Sequence, residues 1–131
     1  GYTAANDVSA RDLQKSDVQW GRAKGFDTFC PLGPWIVTHL GVDEASDLDI
    51  AVAVTHADGT REERQRGNTS LMMRGIAELV EFVSSFCTLL PGDVILTGTP
   101  AGVGPIVPGD RVDVEIQGIG TLSNPVVAQD A

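Results

Sequence analysis

The sequence predicts a β-rich α+β fold, and three observations carry that reading. Apolar residues alternate with period two over Leu48 to Thr55 and again over Arg111 to Ile116, the pattern of half-buried strands. A long run of i, i+3, i+4 apolar spacing occurs once, from Asn68 or Thr69 to about residue 88, which marks one main amphipathic helix. The 131 residues are 42% hydrophobic and 21% charged, a globular composition able to support a core.

Taken in order, Ser9 with Asp12 three residues on forms an [ST]-x-x-[DE] arrangement, which predicts a short helix over about residues 10 to 15 capped by Ser9. Residues 16 to 34 are rich in Gly, Pro and isolated aromatics without a period and read as an ordered loop ending at Gly33-Pro34. A loop of that length usually serves a site. Trp35 to Thr38 is a candidate strand, and Leu48 to Thr55 turns Ile50, Val52 and Val54 to one face. Asp58-Gly59 supplies a turn, after which the polar run Thr60 to Arg66 is expected as an exposed partner strand. Met72, Ile76, Leu79, Val80, Val83 and Phe86 outline the helix, which Pro91-Gly92-Asp93 ends. Three further strands are expected: Val94 to Thr97, Arg111 to Ile116 and Thr121 to Val127.

The length suits one domain or part of a larger one, at roughly 100 to 200 residues per domain. Nine basic against eighteen acidic residues leave a net charge of −9, which disfavours nucleic acid because phosphate binding needs clustered Lys and Arg. No apolar run approaches the ~20 residues of a membrane span, and the first residues lack the basic and apolar regions of a signal peptide. A cytoplasmic protein without membrane partners is expected. The absence of an initiator Met suggests that the chain starts inside a longer polypeptide. Cys30 and Cys87 lack CxxC spacing and are expected as buried free thiols.

Three segments could carry chemistry. Asn6 to Gln14 places the Asp7 carboxylate before a helix on which Arg11 and Gln14, three residues apart, share a face. Such a group could combine a cation ligand with donors for a substrate oxygen, or Asp7 could simply cap the helix. Arg22 to Pro31 sets Lys24 beside Gly25 and near two Phe residues, where its charge would act on an anionic substrate unless it is an ordinary exposed loop lysine. Thr97 to Gly104 follows an apolar strand but is not G-x-G-x-x-G, has no Lys, and Pro105 and Pro108 block a following helix, so a dinucleotide site is rejected. Its backbone N–H groups at Gly98 and the Thr99 hydroxyl could hold a small carboxylate, or its glycines could serve turns alone. The pairs Asp43-Glu44 and Glu62-Glu63 are expected on strands, where neighbours point to opposite faces and cannot chelate easily. A Cys/His pair at Cys30 is disfavoured, since His39 and His56 are distant in sequence.

Four segments taken together, GYTAANDVSARDLQ, QWGRAKGFDTFCPLGPWIV, LLPGDVILTGTPAGVGPIVPGD and VEIQGIGTLSNPV, resemble the fumarylacetoacetate hydrolase family in the family's order. The resemblance implies a β-sandwich roll of mixed β-structure, one divalent cation (Mg²⁺ or Mn²⁺), a small anionic 2-oxo acid substrate and a homodimer. It matches Asp7 to the metal-binding aspartate and Arg11 and Gln14 to residues lining the substrate site. Lys24 matches the catalytic lysine close to metal-bound water or substrate, and Thr99, with Gly98, the threonine that holds the substrate carboxylate. The family's Glu-x-Glu ligands and catalytic histidine belong to an upstream segment, and no Glu-x-Glu occurs here. The chain is therefore expected to be the C-terminal portion of one catalytic domain, inactive alone. The resemblance implies hydrolysis of an acylpyruvate-type C–C bond or isomerisation of 2-hydroxyhepta-2,4-diene-1,7-dioate. Oxaloacetate decarboxylation, or a non-catalytic carboxylate-binding or assembly module, are the alternatives.

Overall fold

The computed structural model describes residues 1–128. Six strands and four short helices follow one another as β1 (Tyr2–Ala5), α1 (Arg11–Ser16), α2 (Gly21–Lys24), β2 (Leu32–Val37), α3 (Val42–Ala45), β3 (Asp49–Thr55), β4 (Arg61–Asn68), α4 (Ile76–Ser84), β5 (Arg111–Ile116) and β6 (Gly120–Pro125). The β-rich α+β class is borne out. Among the described residues every strand pairing is antiparallel, with β1–β2 as a small sheet and β4–β3–β5–β6 as a larger one.

The period-two strands form the core as their patterns predict. Val54, Val112, Val114 and Leu122 of the large sheet pack with Ala4 of β1, and Val52 and Ile116 lean on the cluster. A second cluster joins Val37, Leu48 and Ile119. The Asp58-Gly59 turn closes the β3–β4 hairpin: His56 N–H donates to Thr60 O at 2.8 Å, and Gly59 takes a φ of +86° that glycine adopts without the Cβ penalty. Beyond that turn, β4 departs from the exposed strand expected of it, because it buries Gln65. Val52 pairs with Gln65 and Ala53 with Glu63, so Arg64 is an extra, bulged residue. A bulge re-aims side chains that simple alternation would place elsewhere.

Several other expectations need correction. Ser9 does not cap α1: Ala10 is the N-cap, and the Ser9 hydroxyl donates to Asp7 O at 3.1 Å. The expected loop over residues 16 to 34 contains α2, and β2 begins at Leu32 rather than Trp35 because it pairs with β1 as far as Ala5. Asp43 and Glu44 lie on α3, not on a strand, and Glu44 accepts from the N–H of Gly41 at the helix start. The main helix is shorter than residues 69 to 88. Asn68 Oδ1 accepts from Ser70 N–H to nucleate a separate 3₁₀ turn over Thr69–Leu71, and α4 starts only after Gly75, whose N–H bonds Glu78 Oε2 at 2.8 Å. At its far end the Ser84 and Ser85 hydroxyls donate to the carbonyls of Glu81 and Phe82. No residue of α4 is buried, and Phe82 and Phe86 meet edge to face at 5.4 Å on an open surface. Val94 to Thr97 is not a strand, since among the described residues it has no ladder partner. Both cysteines are free as expected, but Cys30 is only partly buried and Cys87 is exposed. No helix is long and apolar enough to cross a membrane among the described residues.

Candidate active site

The chain leaves the small sheet at Ala5 and returns to it at Leu32, which pair directly, and the excursion between them holds most of the candidate residues. Asn6 N–H donates to Pro31 O at 3.2 Å, and Ala10 N–H donates to Ala23 O at 2.9 Å, binding the start of α1 to α2. Ala23 is wholly buried beneath this junction. At the other end of α1, Asp17 accepts two hydrogen bonds from the Arg22 guanidinium at 2.7 and 2.8 Å. That bond holds the Asp17 carboxyl below its usual range and raises Arg22. Sequence reasoning missed this clamp, since five-residue spacing across a helix end carries no periodic signal.

This framework brings Asp7 and Lys24, seventeen residues apart, into an ion pair between Oδ2 and Nζ. The two side chains remain 40% and 30% exposed respectively, so both are partly open to solvent. On the adjoining α1, Arg11 Nη1 donates to Gln14 Oε1 at 2.6 Å, the shared face that their spacing predicted. Just beyond Lys24, Thr28 and Cys30 take left-handed backbone with φ of 69° and 61°. Such conformations in non-glycine residues persist only where surrounding structure imposes them.

Gly98 and Thr99 sit on a different segment. Gly98 has φ +116°, and Thr99 Oγ1 accepts from Gln65 Nε2 at 2.9 Å, the same amide nitrogen that reaches Pro100 O at 2.5 Å. The loop runs flat along β4. A Cβ on Gly102 would lie 1.9 Å from Arg64 O, one on Gly104 2.4 Å from Arg64 Nη1, and one on Gly67 2.9 Å from the Pro100 ring. Two of the glycines that invited a turn reading, Gly102 and Gly104, are therefore sites of close approach, and Gly67 on β4 is a third. Among the described residues no hydrogen bond or ion pair joins Thr99 to Lys24; the bonded pairs are Asp7 with Lys24, Arg11 with Gln14, and Thr99 with Gln65.

Asp7 suits a hard divalent cation, being a partly exposed carboxylate with anionic oxygen. It would be one ligand among several: no three His, Cys, Asp or Glu side chains gather at a metal-holding distance among the described residues.

Fold and motifs together point to one protein family. The chain belongs to the fumarylacetoacetate hydrolase family, residues 1–127 matching the family description "Fumarylacetoacetate (FAA) hydrolase C-terminal". It is similar to protein Rv2993c of Mycobacterium tuberculosis, 58% identical over 127 residues, covering 97% of this chain and 46% of that protein. It resembles the crystal structure of 5-carboxymethyl-2-hydroxymuconate delta-isomerase from Mycobacterium smegmatis, at 58% identity and a TM-score of 0.91, covering 100% of this chain and 49% of that one. It also resembles maleylpyruvate hydrolase from Sphingobium sp. SYK-6 in complex with manganese(II) ion and pyruvate, at 38% identity and a TM-score of 0.82, covering 97% and 44%. The chain thus spans about half the length of these relatives.

Proposed function

We propose that the full-length protein is a divalent-cation-dependent enzyme acting on a small, enolisable 2-oxo dicarboxylic acid. The reaction is hydrolysis of an acylpyruvate-type C–C bond or isomerisation of 2-hydroxyhepta-2,4-diene-1,7-dioate. One observation carries the reading: the framework at the end of the small sheet holds the Asp7 carboxylate against the Lys24 ammonium while leaving both partly open. A cation ligand and an anion-binding group side by side suit a ligand that is both a chelator and an anion. The family membership and the manganese and pyruvate bound to the Sphingobium relative support it.

In this reading Asp7 supplies one oxygen ligand to Mg²⁺ or Mn²⁺, with the remaining ligands outside these 131 residues. When bound, the cation supplies Lewis-acid stabilisation of the negative charge that develops as a 2-oxo acid enolises. Lys24 Nζ offsets the substrate's charge and is placed to hold or deliver a proton there. Arg11 and Gln14 present a guanidinium and an amide to substrate oxygens. Thr99 donates its hydroxyl hydrogen to the substrate carboxylate, beside a Gly98 that leaves the backbone uncovered. The enzyme works as a homodimer in the cytoplasm.

The test is a parallel assay of the full-length protein with acylpyruvates, oxaloacetate and the dienedioate, each with Mg²⁺, with Mn²⁺ and with chelator. Cation-dependent turnover of an acylpyruvate or of the dienedioate is expected. Turnover of neither, or turnover indifferent to chelator, overturns the proposal.

A further inference from the structure

We propose that Gln65 is a positioning residue that sets the hydrogen-bonding polarity of Thr99, fixing its hydroxyl as a donor to the substrate carboxylate. The inference rests on the reading of Thr99 given above and adds a residue outside every motif that led to it. Gln65 is buried, at 9% exposure, on a strand whose neighbours Glu63 and Arg66 are exposed and paired with each other. The bulge at Arg64 makes this possible by setting Gln65 opposite Val52, which packs on the core, while Glu63 stands opposite Ala53.

The amide can be oriented from chemistry alone. A peptide carbonyl only accepts hydrogen bonds, so the amide atom facing Pro100 O at 2.5 Å must be the NH₂ group. Its second hydrogen then meets Thr99 Oγ1 at 2.9 Å. A threonine hydroxyl has one hydrogen to donate and two lone pairs. With a lone pair taken by Gln65, the hydroxyl hydrogen is free to point away from the Gln65 amide, and Thr99 is an exposed residue. Carboxylates only accept, so this polarity suits an anionic substrate and opposes a ligand that would donate to Thr99.

The same loop is also braced without Gln65. Arg64 Nη1 donates to Pro105 O at 3.4 Å, and Gly67, Gly102 and Gly104 allow β4 and the loop to touch. Loss of the Gln65 amide therefore leaves the loop in place while freeing the hydroxyl to rotate.

The test measures pyruvate binding by titration calorimetry to the Mn²⁺-loaded full-length protein in four forms: wild type, Gln65→Met, Thr99→Val and the double variant. Thr99→Val is expected to weaken pyruvate by about tenfold, as loss of a hydrogen bond to a charged group does, and Gln65→Met by a smaller factor, because there the hydroxyl is unfixed rather than removed, with Mn²⁺ affinity unchanged in both. The double variant is expected to bind like Thr99→Val alone, because Gln65 acts on the substrate only through the Thr99 hydroxyl. If Thr99→Val binds as wild type does, the carboxylate reading of Thr99 fails and this inference falls with it. If Thr99→Val weakens binding but Gln65→Met does not, or if the two losses add, Gln65 merely packs and the positioning role is overturned. Gln65→Glu provides a second route, keeping the side-chain volume while exchanging donor for acceptor. Its carboxylate takes the Thr99 hydroxyl hydrogen, so it is expected to give the loss seen in Thr99→Val, and wild-type affinity in that variant overturns the proposal.

Discussion

His56 Nδ1 lies 2.9 Å from Oδ1 of Asp110, a residue only 3% exposed, so the end of β3 is tied to the turn that precedes β5. The hydrogen bond to Asp110 raises the His56 pKa against the opposing effect of desolvation, with Glu62 adding to the rise and Arg64 opposing it. Asp110 is held low first by the N–H of Val107 and then by His56. A raised histidine stabilises the fold fully below its ordinary value of about 6.5 and loses that contribution as pH rises through the folded value. The lowered aspartate contributes above its ordinary value of about 3.9 and loses its share as pH falls through the folded one.

The pH prediction follows from those signs. His56→Asn keeps a donor to Asp110 without titrating, so the melting-temperature gap between wild type and variant should shrink as pH rises above about 6.5. Melting curves of the full-length protein at stepped pH check this, and a gap constant with pH would remove His56 from the account.

Asp7→Asn should lower Mn²⁺ affinity and turnover together while leaving the circular dichroism spectrum unchanged, since a neutral amide is a weaker ligand for a hard cation. An unaltered Mn²⁺ titration would sink the assignment of Asp7.

Lys24→Met should reduce kcat much more than it reduces metal affinity. Its ammonium faces the substrate's charge in the proposed arrangement and touches the Asp7 carboxylate rather than any other acid in the described structure. Equal losses in both quantities would assign Lys24 to the cation site alone.

Gly102→Ala should destabilise the protein more than Gly98→Ala. Both residues have φ above +100°, but only at Gly102 does a Cβ meet backbone, 1.9 Å from Arg64 O, whereas at Gly98 nothing lies within 4 Å. Left-handed strain alone costs about 1 to 2 kcal/mol, so Gly98→Ala should fall in that range and Gly102→Ala beyond it in chemical denaturation. Equal costs would mean that the loop is not pressed against β4.

Residues 1 to 131 expressed alone should associate and show no turnover. The chain exposes 8996 Å², whereas a self-contained protein of its mass exposes roughly 6,600 Å². Trp35, Ile36, Phe82 and Phe86 are each more than half exposed, an apolar surface of the kind that drives association. Sedimentation analysis of the isolated segment checks the expectation, and a monomer with cation-dependent turnover would refute it.

What could be read from sequence divides along physical lines. The alternation in Ile50-Val52-Val54 and Val112-Val114-Ile116 was legible because each residue's face follows from a backbone period alone. The helix was overextended because the spacing of Met72 and Ile76 is helical while the Asn68 cap and the Gly75 start are local hydrogen-bond choices. Val94 to Thr97 reads as a strand, yet an extended run becomes one only with a hydrogen-bonded neighbour. In the site, motif resemblance singled out Asp7, Lys24, Arg11, Gln14 and Thr99, and the structure joins the first four as two pairs. Gln65 was invisible because a bulge shifts which face a residue occupies, and nothing in a polar run such as Arg61 to Arg66 marks where the extra residue falls.

The pairing of Ala5 with Leu32 has a consequence for how such proteins diversify. Asp7, Arg11, Gln14 and Lys24 all lie on one excursion whose two ends meet at a single rung of the small sheet, and its internal clamps, Ala10 to Ala23 and Asp17 to Arg22, close upon themselves. The excursion behaves as a cassette with one doorway. On the function proposed above, residues within it could be exchanged to suit a different acid without touching Val54, Val112, Val114 or Leu122, so ligand choice and core packing are written in separate stretches of the chain.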